Sequence, residues 1–242
     1  MLRAVLFDMG GTLDGDGQHW LDRFVSLYAG HDLDFPRDLL RRAFDAAEAR
    51  AAVDQPITRM GVSQMVRQHL RWQFEVLGLD DAQRLERMAN EFATPIFEAG
   101  TRNVPLLAAL SERGLALGVV SNACGNARVL CDDLGYTPYL STVIDSRVVG
   151  VAKPDPAIYE LALAALNVQP QHVLMVGDSY ERDVVPARAL GMHTAWLNGG
   201  LAGQARRAGR QGQEGEAGRE VVVIGTLREL LDLVRTTEQT PA

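Results

Sequence analysis

The chain has 242 residues, enough to bury a sizeable core in one large domain or in a domain that carries an insertion. Its 47% apolar content excludes a disordered chain, and a net charge of -7 with scattered cations argues against a nucleic-acid-binding surface. The apolar run Ala4 to Phe7 is too short for a signal h-region and no stretch approaches the roughly 20 apolar residues of a membrane span, so a cytoplasmic protein acting on a small molecule is expected, with no membrane partner.

Leu2 to Phe7 is a β-branched, apolar run that stops at Asp8 and the Gly10-Gly11 pair, which reads as a buried strand ending in a tight loop. Residues 15–96 then give four amphipathic helices, Trp20 to Tyr28, Asp38 to Ala52, Val62 to Leu77 and Asp81 to Phe92, and no convincing strand. They form an inserted, all-helical domain. Asn103 and Pro105 open a further helix that Gly114 closes, and the strand Leu115 to Val120 ends at Ser121.

Cys124 and Cys131 lie in what reads as one helix, two turns apart and too far for a bridge, which implies a reducing compartment. Strands follow at Thr142 to Asp145, His172 to Val176 and His193 to Leu197, with Val221 to Ile224 as a sixth. Asp155 and Pro156 open a helix whose apolar face is Ile158, Leu161, Ala162, Ala165 and Leu166. Strand alternating with helix makes the fold class α/β, a doubly wound parallel sheet. Ala202 to Arg219, rich in Gly, Arg, Gln and Glu, is expected to be a mobile surface loop.

In an open parallel sheet ligands bind beyond the carboxyl ends of the strands, and this chain puts Asp8, Ser121 and Asp178 there. Asp8 precedes Gly10-Gly11-Thr12, a loop in which backbone amides can approach an anion, and is placed for nucleophilic attack on phosphorus. Lys153 is the single lysine among 24 basic residues. A compact ammonium can hold both the Asp8 carboxylate and a phosphoryl oxygen, where a planar guanidinium would collide. Asp178 and Asp183 straddle a strand-to-helix turn and join Asp8 in an acidic pocket whose all-oxygen set suits Mg²⁺.

Four segments in order, Asp8-Met9-Gly10-Gly11-Thr12-Leu13, Val119-Val120-Ser121-Asn122, Lys153-Pro154-Asp155-Pro156 and Gly177-Asp178 to Asp183, resemble the motifs of the haloacid dehalogenase superfamily. The resemblance covers residues 1–14 and about 97–235 and implies a core of residues 1–14 and 97–242 with residues 15–96 as a helical cap. It further implies an aspartyl-phosphate on Asp8 and a metal held by Asp8, Asp178 and the Gly10 carbonyl, with Asp183 in support. Ser121, Lys153 and the amides of Met9 and Asn122 would hold the transferring phosphoryl group of a small-molecule substrate.

The pattern departs at Gly10, where family phosphatases carry the carboxylate that protonates the leaving oxygen and then activates water. Losing such assistance is worth about 10² to 10⁴ in rate, which points to substrates with good leaving groups, or to a phosphate-binding protein without turnover. Dehalogenases and phosphonate hydrolases also lack that Asp. The intact Gly177-Asp178 and the absence of lysine from residues 15–96 rank carbon-halogen and carbon-phosphorus hydrolysis last. Asp14, Asp16, His19 and His69 are the candidates to replace the missing proton carrier; in the insertion, Arg59, Arg67 and Arg71 could bind a substrate anion and Trp72 could stack a ring, against the reading of most of them as solvated helix faces.

Overall fold

The structure of the protein, a computed structural model, describes residues 1–199 and 221–238, so the expected loop Ala202 to Arg219 lies outside the described residues. Six strands, β1 (Ala4–Phe7), β2 (Ala116–Ser121), β3 (Leu140–Asp145), β4 (Val173–Gly177), β5 (His193–Leu197) and β6 (Val222–Ile224), form one sheet in the order β3-β2-β1-β4-β5-β6. Every neighbouring pair runs parallel. The chain steps outward from β1 to β2 and β3, then crosses back to β4 on the other side of β1, so the switch point lies between β1 and β4.

β1 is buried on both faces, as its unbroken apolar run requires of a central parallel strand. Val5 and Phe7 pack into the larger core, with Leu107, Leu110 and Val234. Ala4 and Leu6 face the smaller one, with Ile158, Tyr159 and Met175. The period of two along the strand distributes the chain between two layers of helix. On the smaller-core side are α7 (Pro156–Leu166), whose start is capped by Asp155 accepting from the Ala157 amide, and α8 (Val185–Ala189). The short helices α5 (Ala127–Asp133) and α6 (Ser146–Val149) follow β2 and β3, and α9 (Leu230–Glu238) closes the described chain.

Between β1 and β2 lie α1 (Trp20–Gly30), α2 (Arg37–Ala51), α3 (Val62–Leu77) and α4 (Ala82–Glu112). The one departure in this region is α4. Two helices were expected, split before Asn103, and the structure has a single helix of 31 residues with Pro95 and Pro105 inside it. Each proline removes one intrahelical hydrogen bond, but Leu85, Met88, Ala89, Phe92, Ala93, Ile96, Ala99, Leu106, Leu107 and Leu110 carry one buried stripe through both of them. Asn103 is therefore no helix cap. It is buried and donates from Nδ2 to the Leu13 carbonyl at 2.9 Å, beside the Tyr136 hydroxyl, which donates to the same oxygen at 2.9 Å.

The thiols also differ from expectation. Cys124 sits in the loop after β2 and Cys131 in α5, so they do not share a helix; both are free, and burial pushes each thiol up to about 12.

Candidate active site

Asp8 is the first residue past β1, and its amide still donates to the Val176 carbonyl of β4 at 2.9 Å, which holds it in register with the end of β4. The turn Met9–Leu13 follows, with Gly11 at φ +84. A Cβ there would also lie 2.5 Å from Asp178 Oδ2, so both backbone conformation and space demand glycine. Thr12 is fully buried and ties the two strand ends together: its hydroxyl donates to Asp178 Oδ1 at 3.2 Å and accepts from the Asp178 amide at 3.0 Å. Across the sheet, Trp196 of β5 donates from its indole to the Asp178 carbonyl at 2.9 Å.

Lys153 is the hub. Its Nζ lies 2.7 Å from Asp8 Oδ1 and 2.7 Å from Asp183 Oδ1. Its backbone is gripped by Asn122, whose Oδ1 accepts from the Lys153 amide at 2.7 Å and whose Nδ2 donates to the Lys153 carbonyl at 2.9 Å. Burial works to lower the ammonium, but the Asp8 and Asp183 carboxylates overcome it and hold it above its ordinary value. Asp183 is wholly buried. Its second oxygen accepts from the Ser179 amide at 3.0 Å, and a Cβ on Gly177 would stand 2.3 Å from its carboxyl carbon.

Asp8, Asp178 and Asp183 each bring an oxygen within 4.8 Å of the others. Burial first, and then the neighbouring Asp8 charge, push both Asp178 and Asp183 above the usual carboxylate range. An all-oxygen set so crowded with negative charge fits a hard divalent cation. Both Asp183 oxygens already have partners, which suits it to support rather than to ligate directly.

A cavity of about 490 Å³ opens over Asp8, lined on the sheet side by Met9, Gly10, Ser121, Asn122, Cys124 and Lys153. Its other wall comes from the helical insertion: Trp20 and Leu21 at the start of α1, Arg41, Phe44, Asp45 and Glu48 of α2, and Met65 of α3. The four α2 residues fall at i, i+3, i+4 and i+7, one face of the helix. The loop after β2 is shaped by Asp145, which accepts from the amides of Gly125, Ala127 and Arg147 at 3.0 to 3.1 Å.

Several expectations are corrected here. Arg59, Arg67 and Arg71 do not line this cavity but border a separate cleft with Gln64 and Gln68, and Arg67 is paired with both oxygens of Glu86 at 2.8 Å. Trp72 is buried in the larger core. Their place is taken by Arg41 and Phe44. Nothing in the spacing tells that Arg41 of α2 meets the cavity while Arg67 and Arg71 of α3 do not, because all three are basic residues on amphipathic helices.

The Met9 amide donates to Asp8 Oδ1 at 2.7 Å, and the Asn122 side chain holds the Lys153 backbone, while both residues line the cavity. Of the proton-carrier candidates, Asp16 lies off the cavity and pairs with Arg102 at 2.6 Å. His69 is also off it, held between Glu48 at 2.9 Å and Gln73 at 2.7 Å. Asp14 and His19 do line it. His19 accepts the Leu21 amide on Nδ1 at 3.2 Å, and burial lowers its imidazole below the ordinary value.

A doubly wound sheet with charged residues massed at its switch point is the framework of an α/β enzyme. The chain belongs to the haloacid dehalogenase-like hydrolases, whose family model matches residues 2–191. It is 30% identical over 183 residues to haloacid dehalogenase-like hydrolase domain-containing protein 3 of Bos taurus, covering 70% of this chain and 71% of the relative. It is 32% identical over 206 residues to the phosphoglycolate phosphatase of Rhodospirillum rubrum, covering 79% and 78%. Among solved structures, a HAD phosphatase from Thermococcus onnurineus superposes with a TM-score of 0.52 at 23% identity, covering 96% of this chain and 98% of that one. The L-2-haloacid dehalogenase of Xanthobacter autotrophicus does so with 0.57 at 22%, covering 97% and 99%. These last two show the fold.

Proposed function

We propose that the protein is a Mg²⁺-dependent phosphatase of a small phosphorylated molecule, with Asp8 as nucleophile. The observation that supports it most is the Lys153 ammonium, 2.7 Å from both Asp8 and Asp183 beside a third carboxylate, Asp178. Asp8, Asp178 and the Gly10 carbonyl would hold Mg²⁺ with Asp183 behind them, and the ion would neutralise charge on the transferring group. Lys153 orients Asp8 by pairing with one of its oxygens and leaves the other to attack phosphorus. Ser121 lies at the end of β2, on the wall of the same cavity, and offers its hydroxyl to a phosphoryl oxygen.

Residues 15–96 act as a cap in this reading, with the α2 face of Arg41, Phe44, Asp45 and Glu48 choosing the substrate and keeping water from the phosphoenzyme. The phosphatases among the relatives support the class of reaction and leave the substrate open. The reaction and its small substrate fit a protein of the cytoplasm without nucleic-acid or membrane partners; among the described residues no helix is long and apolar enough to cross a membrane.

The test is hydrolysis of p-nitrophenyl phosphate and acetyl phosphate with and without Mg²⁺, in wild type and Asp8→Asn. Metal-dependent release of phosphate that disappears in the variant is expected. Metal-independent halide release from a 2-haloacid would overturn the reading. Gly10 favours one other reading, a pocket that binds phosphate without turning it over; BeF₃⁻ binding by a protein that hydrolyses none of these compounds would establish that instead.

A further inference from the structure

Gly10 leaves a gap of definable shape. Its backbone, at φ -72 and ψ 121, is one that any residue adopts. A Cβ built on it would meet a single atom within 4 Å, the indole nitrogen of Trp20 at 4.0 Å. That same nitrogen donates to Asp14 Oδ2 at 2.8 Å. The side chain bordering the vacant position is therefore tied to a carboxyl group four residues further on.

Asp14 is held there from several directions. Its other oxygen accepts from the Gly11 amide at 2.6 Å, and Arg23 stands 4.0 Å away. It is 4% exposed, and what it exposes lines the cavity that contains Asp8 and Gly10. A carboxylate has about four lone-pair sites, and the two donors occupy one on each oxygen, so both oxygens keep a site for a proton or a water. Neither Asp16 nor His69 reaches the cavity.

We infer that Asp14 carries the proton that the residue at position 10 carries in related phosphatases, reaching the same space from the next turn of chain with Trp20 holding it in place. The inference rests on Asp8 being the nucleophile. In the first step an Asp8 oxygen bonds to phosphorus, the bond from phosphorus to the leaving oxygen breaks, and that oxygen takes the Asp14 proton. In the second, a water oxygen bonds to phosphorus, its proton passes to the Asp14 carboxylate, and the bond to Asp8 breaks. Asp8, protonated Asp14 and inorganic phosphate result. Burial, ahead of every other influence, raises the Asp14 carboxyl to about 6, which lets it hold or accept a proton near neutrality.

The experiment uses the full chain with Mg²⁺ and compares p-nitrophenyl phosphate with phenyl phosphate, which leaves far less readily. In Asp14→Asn the first-turnover burst of nitrophenolate is expected to persist, steady-state release to fall about 10² to 10⁴-fold, and phosphate to accumulate on Asp8, seen by acid quench and mass spectrometry. Phenyl phosphate should suffer more than the nitro compound. The double variant Gly10→Asp, Asp14→Asn should recover at least about tenfold, because position 10 has room for the side chain; a loss of mere packing would not be rescued that way.

Asp14→Asn turnover within about twofold of wild type on both esters would overturn the inference. So would loss of burst and turnover together without rescue, which makes Asp14 structural. The same split appearing in His19→Gln while Asp14→Asn is normal would transfer the role to His19. Failure of the underlying reading looks different: no phosphate is then found on Asp8 in any variant after acid quench, and Asp8→Asn turns over as fast as wild type.

Discussion

Two oxygens 2.7 Å from one ammonium make Lys153 costly to replace. Lys153→Met would leave Asp8 and Asp183 facing each other without a cation, which destabilises a buried pair by about 3 to 5 kcal/mol, read as a fall in the urea midpoint. Lys153→Arg should also inactivate the protein, since the guanidinium cannot enter a space that Asn122, Asp8 and Asp183 already close around an ammonium. Asp14 has a stability signature of its own. Its carboxyl rises from 3.8 to about 6 on folding, so the folded state binds more protons between those values. That contribution is therefore greatest below about pH 4 and is lost as pH rises through about 6, a swing on the order of 3 kcal/mol. Asp14→Asn should remove it: in EDTA, the stability of wild type relative to the variant, from urea titrations at pH 4.5 and 7.5, falls at the higher pH. A difference that does not change with pH would show that Asp14 meets no such burial.

At the scale of elements, the strand ends were legible and the helix breaks were not. Each of the six runs read as a strand is one, because a parallel sheet buried on both faces needs unbroken apolar stretches, and these are visible in one dimension. Pro105 misled for the opposite reason: proline punctuates a local reading, while the buried stripe of α4 that overrides it exists only against its neighbours. The close packing of the loops gives another prediction. Gly177→Ala puts a methyl 2.3 Å from the Asp183 carboxyl carbon, so it should destabilise by about 1 to 3 kcal/mol and impair activity together, checked by thermal melting and by hydrolysis of p-nitrophenyl phosphate.

Across the whole molecule, the insertion and the sheet share one buried apolar cluster, and specific polar contacts add to it. Arg147 of α6 donates from Nη1 to the carbonyls of Ala51 and Asp54 near the end of α2 and to that of Cys124 in the loop after β2, at 2.7 to 3.1 Å. Asp133 of α5 accepts the Val62 amide at the start of α3 at 2.8 Å. Arg147→Ala is expected to cost about 2 kcal/mol in stability and to raise KM more than it lowers kcat, since it loosens the wall that meets substrate without touching Asp8. The sequence by itself determined the fold class, the run of helices between the first two strands and the placing of Asp8, Ser121 and Asp178 at strand ends, because strand patterning and residue type at strand ends are local properties. Only the tertiary structure decided which helix of the insertion faces the cavity, that Asn122 and Thr12 hold their neighbours in place, and that Trp20 borders the space at Gly10 and is tied to Asp14, which lines the cavity where Asp16 and His69 do not. Those facts depend on which side of a helix is covered and on distances between residues far apart in the chain, and one-dimensional spacing carries neither.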